Sequence, residues 1–424
     1  MRNNRWLIAI MGTVIQLGLG TVYAWSFFQK PIADAYRWSN TEVAWAFSLA
    51  IFMLGISAAW GGVILPKYGP KKLAIAGGLL YALGYFIASL ALQQHSLLLL
   101  YLGFGVVGGI GLGLAYVTPV TTASKWFPDK QGLVTGMVVM GFGLGAVLMS
   151  KILAPIFMDL TGGNMSAVFM YIGITLLILL PLSALFMRFP PEEKDKNATK
   201  AVSSVLQNNI PVRKAIFSKQ FLVIWFIFMF NVVAGMIFIS FQSPLLQDLM
   251  KLRMPANTDF QSPETVAGLA AAGATLIALS SICNGLGRFV WGAASDKIGR
   301  IQTFRLLLGA QAIVFLALIF LKEPLIFSVL VCFVLLCYGG GFGVIPSFVK
   351  DVFGARLMPV VYGSMLTAWG VGGILGPQIV AYMKDHFGEK AGVYAFSVGL
   401  VILLLGFVLS LLFKKDEKFM ASQD

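Results

Sequence analysis

Apolar runs of about 20 residues recur along the chain, and a helix of that length crosses the roughly 30 Å hydrocarbon core of a bilayer. Twelve runs can be placed, at 6–28, 43–65, 73–92, 97–122, 132–156, 166–187, 220–245, 265–293, 302–321, 325–348, 359–383 and 391–413. In hydrocarbon every backbone N–H and C=O needs a partner within the protein, which leaves helices or a closed barrel. Runs this long and this uniformly apolar predict helices, so the expected fold is an all-α membrane protein with twelve transmembrane helices. Composition agrees. Of the 424 residues, 58% are hydrophobic and 12% charged, against about a quarter charged in soluble domains. The first run follows Met1-Arg2-Asn3-Asn4-Arg5. It is longer than a signal-peptide core, has no small-residue cleavage site, and reads as the first span.

The formal net charge is +13. Nucleic-acid binding needs a solvated basic face with base-reading side chains; the sequence offers neither, and no such partner is expected. The positive residues gather instead in alternate loops. With a cytoplasmic N-terminus, about 22 Lys and Arg fall on cytoplasmic segments and about 7 on outer ones, as the positive-inside rule requires. Both termini are therefore expected in the cytoplasm. The longest polar stretch, Arg188 to Lys219, carries Pro190-Pro191-Glu192-Glu193-Lys194 and lacks a spanning run. It divides the chain into an N-terminal six-helix bundle (1–187), a cytoplasmic linker (188–219), a C-terminal six-helix bundle (220–413) and a cytoplasmic tail (414–424).

The halves resemble each other. Gly62-Val-Ile-Leu-Pro66-Lys67-Tyr-Gly69 follows the second span, and Gly292-Ala-Ala-Ser-Asp296-Lys297-Ile-Gly299-Arg300 follows the eighth. Thr135-Gly136 through Phe142-Gly143-Leu-Gly145 in the fifth span matches Tyr362-Gly363 through Trp369-Gly370-Val-Gly372 in the eleventh. Both matches lie about 230 residues apart, which indicates duplication into parallel repeats about an axis along the membrane normal.

The two post-span turns resemble the Gly-x-x-x-Asp-Arg/Lys-x-Gly-Arg signature of the major facilitator superfamily. With twelve spans and a central linker, the resemblance covers the whole chain. It implies two bundles working by alternating access, with Gly292, Asp296, Lys297, Gly299 and Arg300 as a conformational latch. The first copy carries Pro66 where the aspartate belongs. Lys71 and Lys72 serve either that latch or topology alone.

Arg288 lies among residues that lipid would favour, with no neutralising neighbour in sequence. A charge near the bilayer interior costs about 2.5–3.5 kcal/mol on insertion scales, so such residues turn from lipid and serve function. Eight residues of helix place it roughly 12 Å from Asp296, toward the bilayer middle. Its planar fork suits a carboxylate. The alternative is a structural arginine bonded to helix-end carbonyls. Asn284, four residues earlier, shares its face. Lys125-Trp126-Phe127-Pro128-Asp129-Lys130-Gln131-Gly132 resembles the Trp-Phe-Pro…Arg-Gly pattern of the oxalate:formate antiporter family. Asn284-Gly-Leu-Gly-Arg288-Phe-Val-Trp-Gly292 resembles the eighth span of that family and of the related monocarboxylate transporters. The resemblance implies that Arg288 binds the substrate carboxylate. Proton-coupled monocarboxylate transporters commonly have an aspartate where Asn284 stands. No acidic residue lies deep within a span, Asp159 coming closest. The compensating charge at Arg288 is then the substrate's own, in symport with a proton or in exchange for a counter-anion.

Oxalate-exchanging members also carry a lysine on the eleventh span. Here no Lys or Arg occurs between Arg356 and Lys384, and Trp369 falls near that turn. One cation balances one carboxylate, which favours a monocarboxylate such as lactate, pyruvate or formate. Lys151 lies near the outer end of the fifth span, where it can snorkel or take part in transport. Tyr23, Tyr116, Tyr338, Tyr362, Phe142 and Trp369 either wall the cavity or pack as core aromatics. Cys283, Cys332 and Cys337 are expected as packing residues, with no disulfide, metal or cofactor. Gly103-Phe-Gly105-Val-Val-Gly108 sits inside an apolar helix and reads as a close-packing face rather than a dinucleotide loop. Asn197-Ala-Thr falls in the cytoplasmic linker and is not expected to be glycosylated. The expected protein is a monomeric carboxylate transporter, not an enzyme, in a bacterial inner membrane. An oxalate/formate-type exchanger and a carboxylate sensor without flux are the alternatives.

Overall fold

The computed structural model describes residues 4–127, 131–190, 209–255 and 257–413. Pro128, Asp129 and Lys130, the linker from 191 to 208 with Asn197, and the tail from Lys414 lie outside the described residues. Ten helices are each long and apolar enough to span: α1 Arg5–Tyr36, α2 Asn40–Tyr68, α3 Pro70–Gln93, α4 Leu97–Trp126, α5 Gly136–Leu160, α6 Met165–Ala184, α7 Lys219–Lys251, α8 Pro263–Ile298, α9 Arg300–Phe320 and α10 Pro324–Gly354. An eleventh stretch, Val360–Leu411, has 52 residues. As one helix it would run about 78 Å, more than twice the hydrocarbon thickness. It breaks at Gly388, where φ is 52° and ψ −120°. This gives α11 (355–387) and α12 (Ala391–Leu411), and so the twelve spans expected. There is no strand among the described residues.

Local chemistry sets where the helices begin. Ser39, Ser96, Asn164, Ser218 and Ser262 are N-caps whose side-chain oxygens accept first-turn N–H groups, satisfying donors that have no partner within the helix. Ser39 forms a full capping box with Glu42. The side of the bilayer from which α1 starts is called the near side below, and the opposite the far side. Tight near-side turns pass through Gly69 (φ 77°, ψ 160°), Gly299 (φ 90°, ψ 148°) and Gly354 (φ 79°, ψ 161°), a conformation that a Cβ opposes. Gly69 and Gly299 are corresponding positions of the internal match, so the backbone repeats where the sequence does.

One expectation needs correction. Asp296 and Lys297 do not lie in a turn after the eighth span. They form the last turns of α8, which runs on to Ile298. Apolar composition marks where hydrocarbon ends, whereas the helix continues into the polar interface until Gly299 breaks it. Of the residues expected to form a latch, Arg300 ties neighbouring helices. Arg300 pairs with Asp296 (2.6 Å) and with Asp351 of α10 (3.0 Å), and also donates to Ser295.

α8 packs most closely on α10. A Cβ on Gly339 would come 2.0 Å from the Asn284 carbonyl oxygen, and one on Gly343 would come 2.1 Å from that of Arg288. The Gly339-Gly340-Gly341-Phe342-Gly343 run thus lets the backbone bearing Asn284 and Arg288 sit directly on α10. Between helices 1–6 and helices 7–12, α2 packs on α11 and α5 on α8. The glycines from 103 to 108 are buried against Ile87, Leu49 and Gly84, as the close-packing reading expects. The three cysteines are free. Gly343→Ala should lower the apparent melting temperature of purified protein by several degrees, since overpacking costs about 1–3 kcal/mol. Gly392→Ala, where the nearest atom to a new Cβ is 3.5 Å away, should leave it unchanged.

Candidate functional site

Arg288 is 2% exposed and is the one charged side chain buried among the described residues. Its Cβ points toward the far-side start of α8, as helical Cβ atoms do. Nε donates to Asn284 Oδ1 at 3.4 Å, so the two residues expected to share a face do. Nη1 and Nη2 have no hydrogen-bond partner. The structural alternative, a guanidinium satisfied by helix-end carbonyls, therefore does not describe the geometry. The charge is flanked by rings from both sets of helices, Phe142 of α5 at 5.7 Å and Phe342 of α10 at 4.9 Å.

Around it stands a closed aromatic cage. Phe142 contacts Tyr23 of α1 (4.9 Å), Tyr116 of α4 (5.2 Å) and Trp369 of α11 (5.7 Å). Trp369 contacts Phe342 at 4.8 Å, and Phe342 contacts Tyr338 at 5.1 Å. Phe142 and Trp369, aligned by the internal match, thus meet in space. The Tyr23 and Tyr338 hydroxyls hydrogen-bond at 2.5 Å and join α1 to α10. Tyr116 stands beside Arg288 and Tyr362, yet its hydroxyl has no partner of good geometry, and neither has Trp369 Nε1. Four orphaned groups thus share one cage: two guanidinium nitrogens, an indole N–H and a phenol. Three are donors only. Such a set suits an acceptor with more than one lone pair and a negative charge. Directly on the far side lies a cavity of about 10 Å³, lined by Tyr23, Gln242, Ser280, Ser281 and Asn284 with Ala146, Ile239, Ile277 and Leu335. That is about the space of one water molecule.

The sequence candidates separate clearly. Arg288, Asn284, Tyr23, Tyr116, Tyr338, Phe142 and Trp369 come together, with Tyr362 half-buried at the edge beside Tyr116. Lys151 does not join them. It is exposed, and its Nζ donates to Thr275 of α8 at 2.7 Å. Thr275 is thirteen residues from Arg288, or roughly 20 Å along the helix. Phe342 was not among the candidates. Two signals could have found it. It lies one helical turn beyond Tyr338. Pro119 and Pro346 also sit 227 apart, which puts Phe342 one residue from the counterpart of Tyr116.

Twelve spanning helices around a buried, acceptor-seeking cage define a multi-pass membrane transporter, and the family model of the Major Facilitator Superfamily matches residues 8–377 and 254–423. The chain belongs to that superfamily. It is 27% identical over 412 residues to the oxalate:formate antiporter of Oxalobacter formigenes, covering 96% of this chain and 91% of that one. It is 28% identical to the apicoplast pyruvate carrier 1 of Toxoplasma gondii, covering 76% and 66%. In fold it is similar to a solved bacterial homologue of the human lysosomal transporter Spinster, with a TM-score of 0.68, 15% identity and 97% of both chains covered.

The unpaired cation makes a stability test possible. Replacing it by an apolar side chain of similar length removes a buried charge and opens little space. Arg288→Met should raise the apparent melting temperature of the ligand-free protein by a few degrees. A structural arginine would give a fall instead.

Proposed function

We propose that this protein is a secondary transporter that carries a small organic monocarboxylate, of the size of lactate, pyruvate or formate, unchanged through alternating access. The observation that carries the reading is the buried Arg288 with both terminal nitrogens unpaired. An ionised carboxylate is acceptor-only, and its two oxygens match the guanidinium fork. Asn284 Oδ1 holds Nε and so aims the fork. Tyr116 and Trp369 offer further donors, and the rings of Phe142 and Phe342 keep water and bulky solutes out. One cation balances one carboxylate. Trp369 stands on α11 near the turn where the resembled oxalate exchangers carry a lysine, and no Lys or Arg occurs between Arg356 and Lys384, so a dianion would leave a charge uncompensated.

Helices 1–6 and helices 7–12 act as two rocking bodies, with Tyr23–Tyr338 as a clasp across the site. The near side is the cytosol, because the Lys- and Arg-rich segments gather there. The far side is the one held shut, by contacts such as Lys151–Thr275 and Gln378–Ser48. A single chain in a bacterial inner membrane is the working unit. The 27% identity to an oxalate:formate antiporter over nearly the whole chain favours a second reading, obligate anion exchange on the same cage.

Uptake of labelled lactate, formate and oxalate into liposomes tests both. Arg288→Ala should cut monocarboxylate uptake by two orders of magnitude or more, as loss of a buried charged partner costs about 3–5 kcal/mol. Arg288→Lys, which keeps the charge but not the fork, should fall between. Trp369→Lys should raise oxalate uptake relative to lactate. Unchanged uptake in Arg288→Ala refutes the assignment. A strict need for anion loaded inside the vesicles, without response to a pH gradient, selects exchange.

A further inference from the structure

α11 reaches the far side with Lys384-Asp385-His386-Phe387. There the Asp385 carboxylate leaves its own helix and caps α2 of the other set. Oδ1 accepts from Asn40 N and Asn40 Nδ2, both at 2.9 Å, and Oδ2 accepts from Thr41 N at 2.8 Å. The two backbone donors belong to the first turn of α2, where N–H groups have no partner within the helix and the helix dipole favours negative charge. Ser39 already serves the Glu42 N–H, so Asp385 completes the cap from 345 residues away. The rest of the seam supports it. Gln29 of α1 donates to the Asn40 carbonyl oxygen at 3.0 Å, and Gln378 of α11 donates to Ser48 of α2 at 3.3 Å. Asp385 itself is exposed, so protons from the far-side water reach it.

We propose that Asp385 is a proton-operated clasp: ionised, it holds the far side shut, and protonated, it lets α2 and α11 part. An ionised carboxylate is acceptor-only and matches three converging donors. Protonation turns one oxygen into a donor and removes the charge that strengthens the remaining bonds. When the seam opens, the α2 donors turn to water and the carboxylate is left without them. The closed form therefore favours the ionised state more than the open form does. Closure is complete at neutral pH and is lost as far-side pH falls through about 4, the range of a free aspartate, and below it. This rests on the alternating-access reading above, and it places proton coupling outside the cage, where Asn284 cannot hold a proton.

The other charged groups along the seam have separate engagements. Lys384 donates to Asp248 of α7, Lys30 pairs with Asp34 on α1, and Glu42 accepts from Ser39 N. His386 places Nδ1 2.9 Å from the Tyr382 carbonyl oxygen and stacks on the Tyr382 ring. Arg37, Glu389 and Lys390 are exposed.

Pulsed electron paramagnetic resonance on the full chain in nanodiscs tests the clasp without any substrate. Spin labels go on Gln94→Cys and Lys322→Cys, in far-side turns of the two sets, with Cys283, Cys332 and Cys337 replaced by serine. From pH about 7.5 to about 3 a longer distance should grow in, most of it below about pH 4, where an aspartate freed of those donors takes up its proton, and the open-to-closed ratio rises by at most about tenfold per pH unit for one proton. Asp385→Asn should show that longer distance already at neutral pH, its ratio raised by about tenfold, with no further response to acid. His386→Gln should keep the wild-type response. Arg288→Ala should keep it too, so the clasp stands or falls separately from the carboxylate site. A distribution that stays fixed across the pH range overturns the proposal, even if Asp385→Asn does not fold. So does an Asp385→Asn that follows the wild type at every pH, or a His386→Gln that abolishes the response.

Discussion

A single positive charge lies in the middle of a hydrophobic membrane protein, held between two aromatic rings that come from different sets of helices. Leaving water for such a place costs about 2.5–3.5 kcal/mol or more. Stacking on the faces of Phe142 and Phe342 returns about 2 kcal/mol when the contacts are desolvated. Asn284 satisfies Nε alone. Two guanidinium nitrogens remain unserved. A protein gains nothing in stability from that arrangement, and in the proposed function the imbalance is what an anion resolves.

The rest of the architecture makes the imbalance tenable. Glycines on α10 bring its backbone against α8, so Arg288 and Asn284 sit on a rigid double layer. Tyr23, Tyr116 and Phe142 arrive from helices 1–6, while Tyr338, Phe342 and Trp369 arrive from helices 7–12. No one set closes the cage alone. In the proposed function, an anion that draws the two sets onto the cation acts on the same contacts that open and close the path. The far-side seam, with Asp385 on the first turn of α2, lies between the same two sets.

Much of this was legible in the residue order. Hydrocarbon forces long apolar runs to be helices, so the twelve spans could be read directly. Arg288 stood out because charge is expensive there, and Asn284 followed from helical spacing. The duplicated pattern aligned Phe142 with Trp369, which meet at 5.7 Å. Other features left no local trace. Phe342 reads as one apolar residue among many, because aromatic rings in a span serve packing and binding alike. The length of α8 beyond the apolar run was missed because hydropathy reports solvent rather than backbone. Lys151 finds Thr275, and Asp385 finds Asn40, through contacts 124 and 345 residues apart in sequence. Only packing of the two sets creates them.

The most direct measurement is the distance between carboxylate and guanidinium in the loaded protein. Solid-state magnetic resonance can report dipolar coupling between carboxyl-labelled pyruvate and nitrogen-labelled arginine in lipid. The account predicts a coupling that corresponds to about 4 Å or less, consistent with a bidentate pair, and that vanishes in Arg288→Lys. Bound pyruvate that shows no coupling to any arginine nitrogen would contradict it.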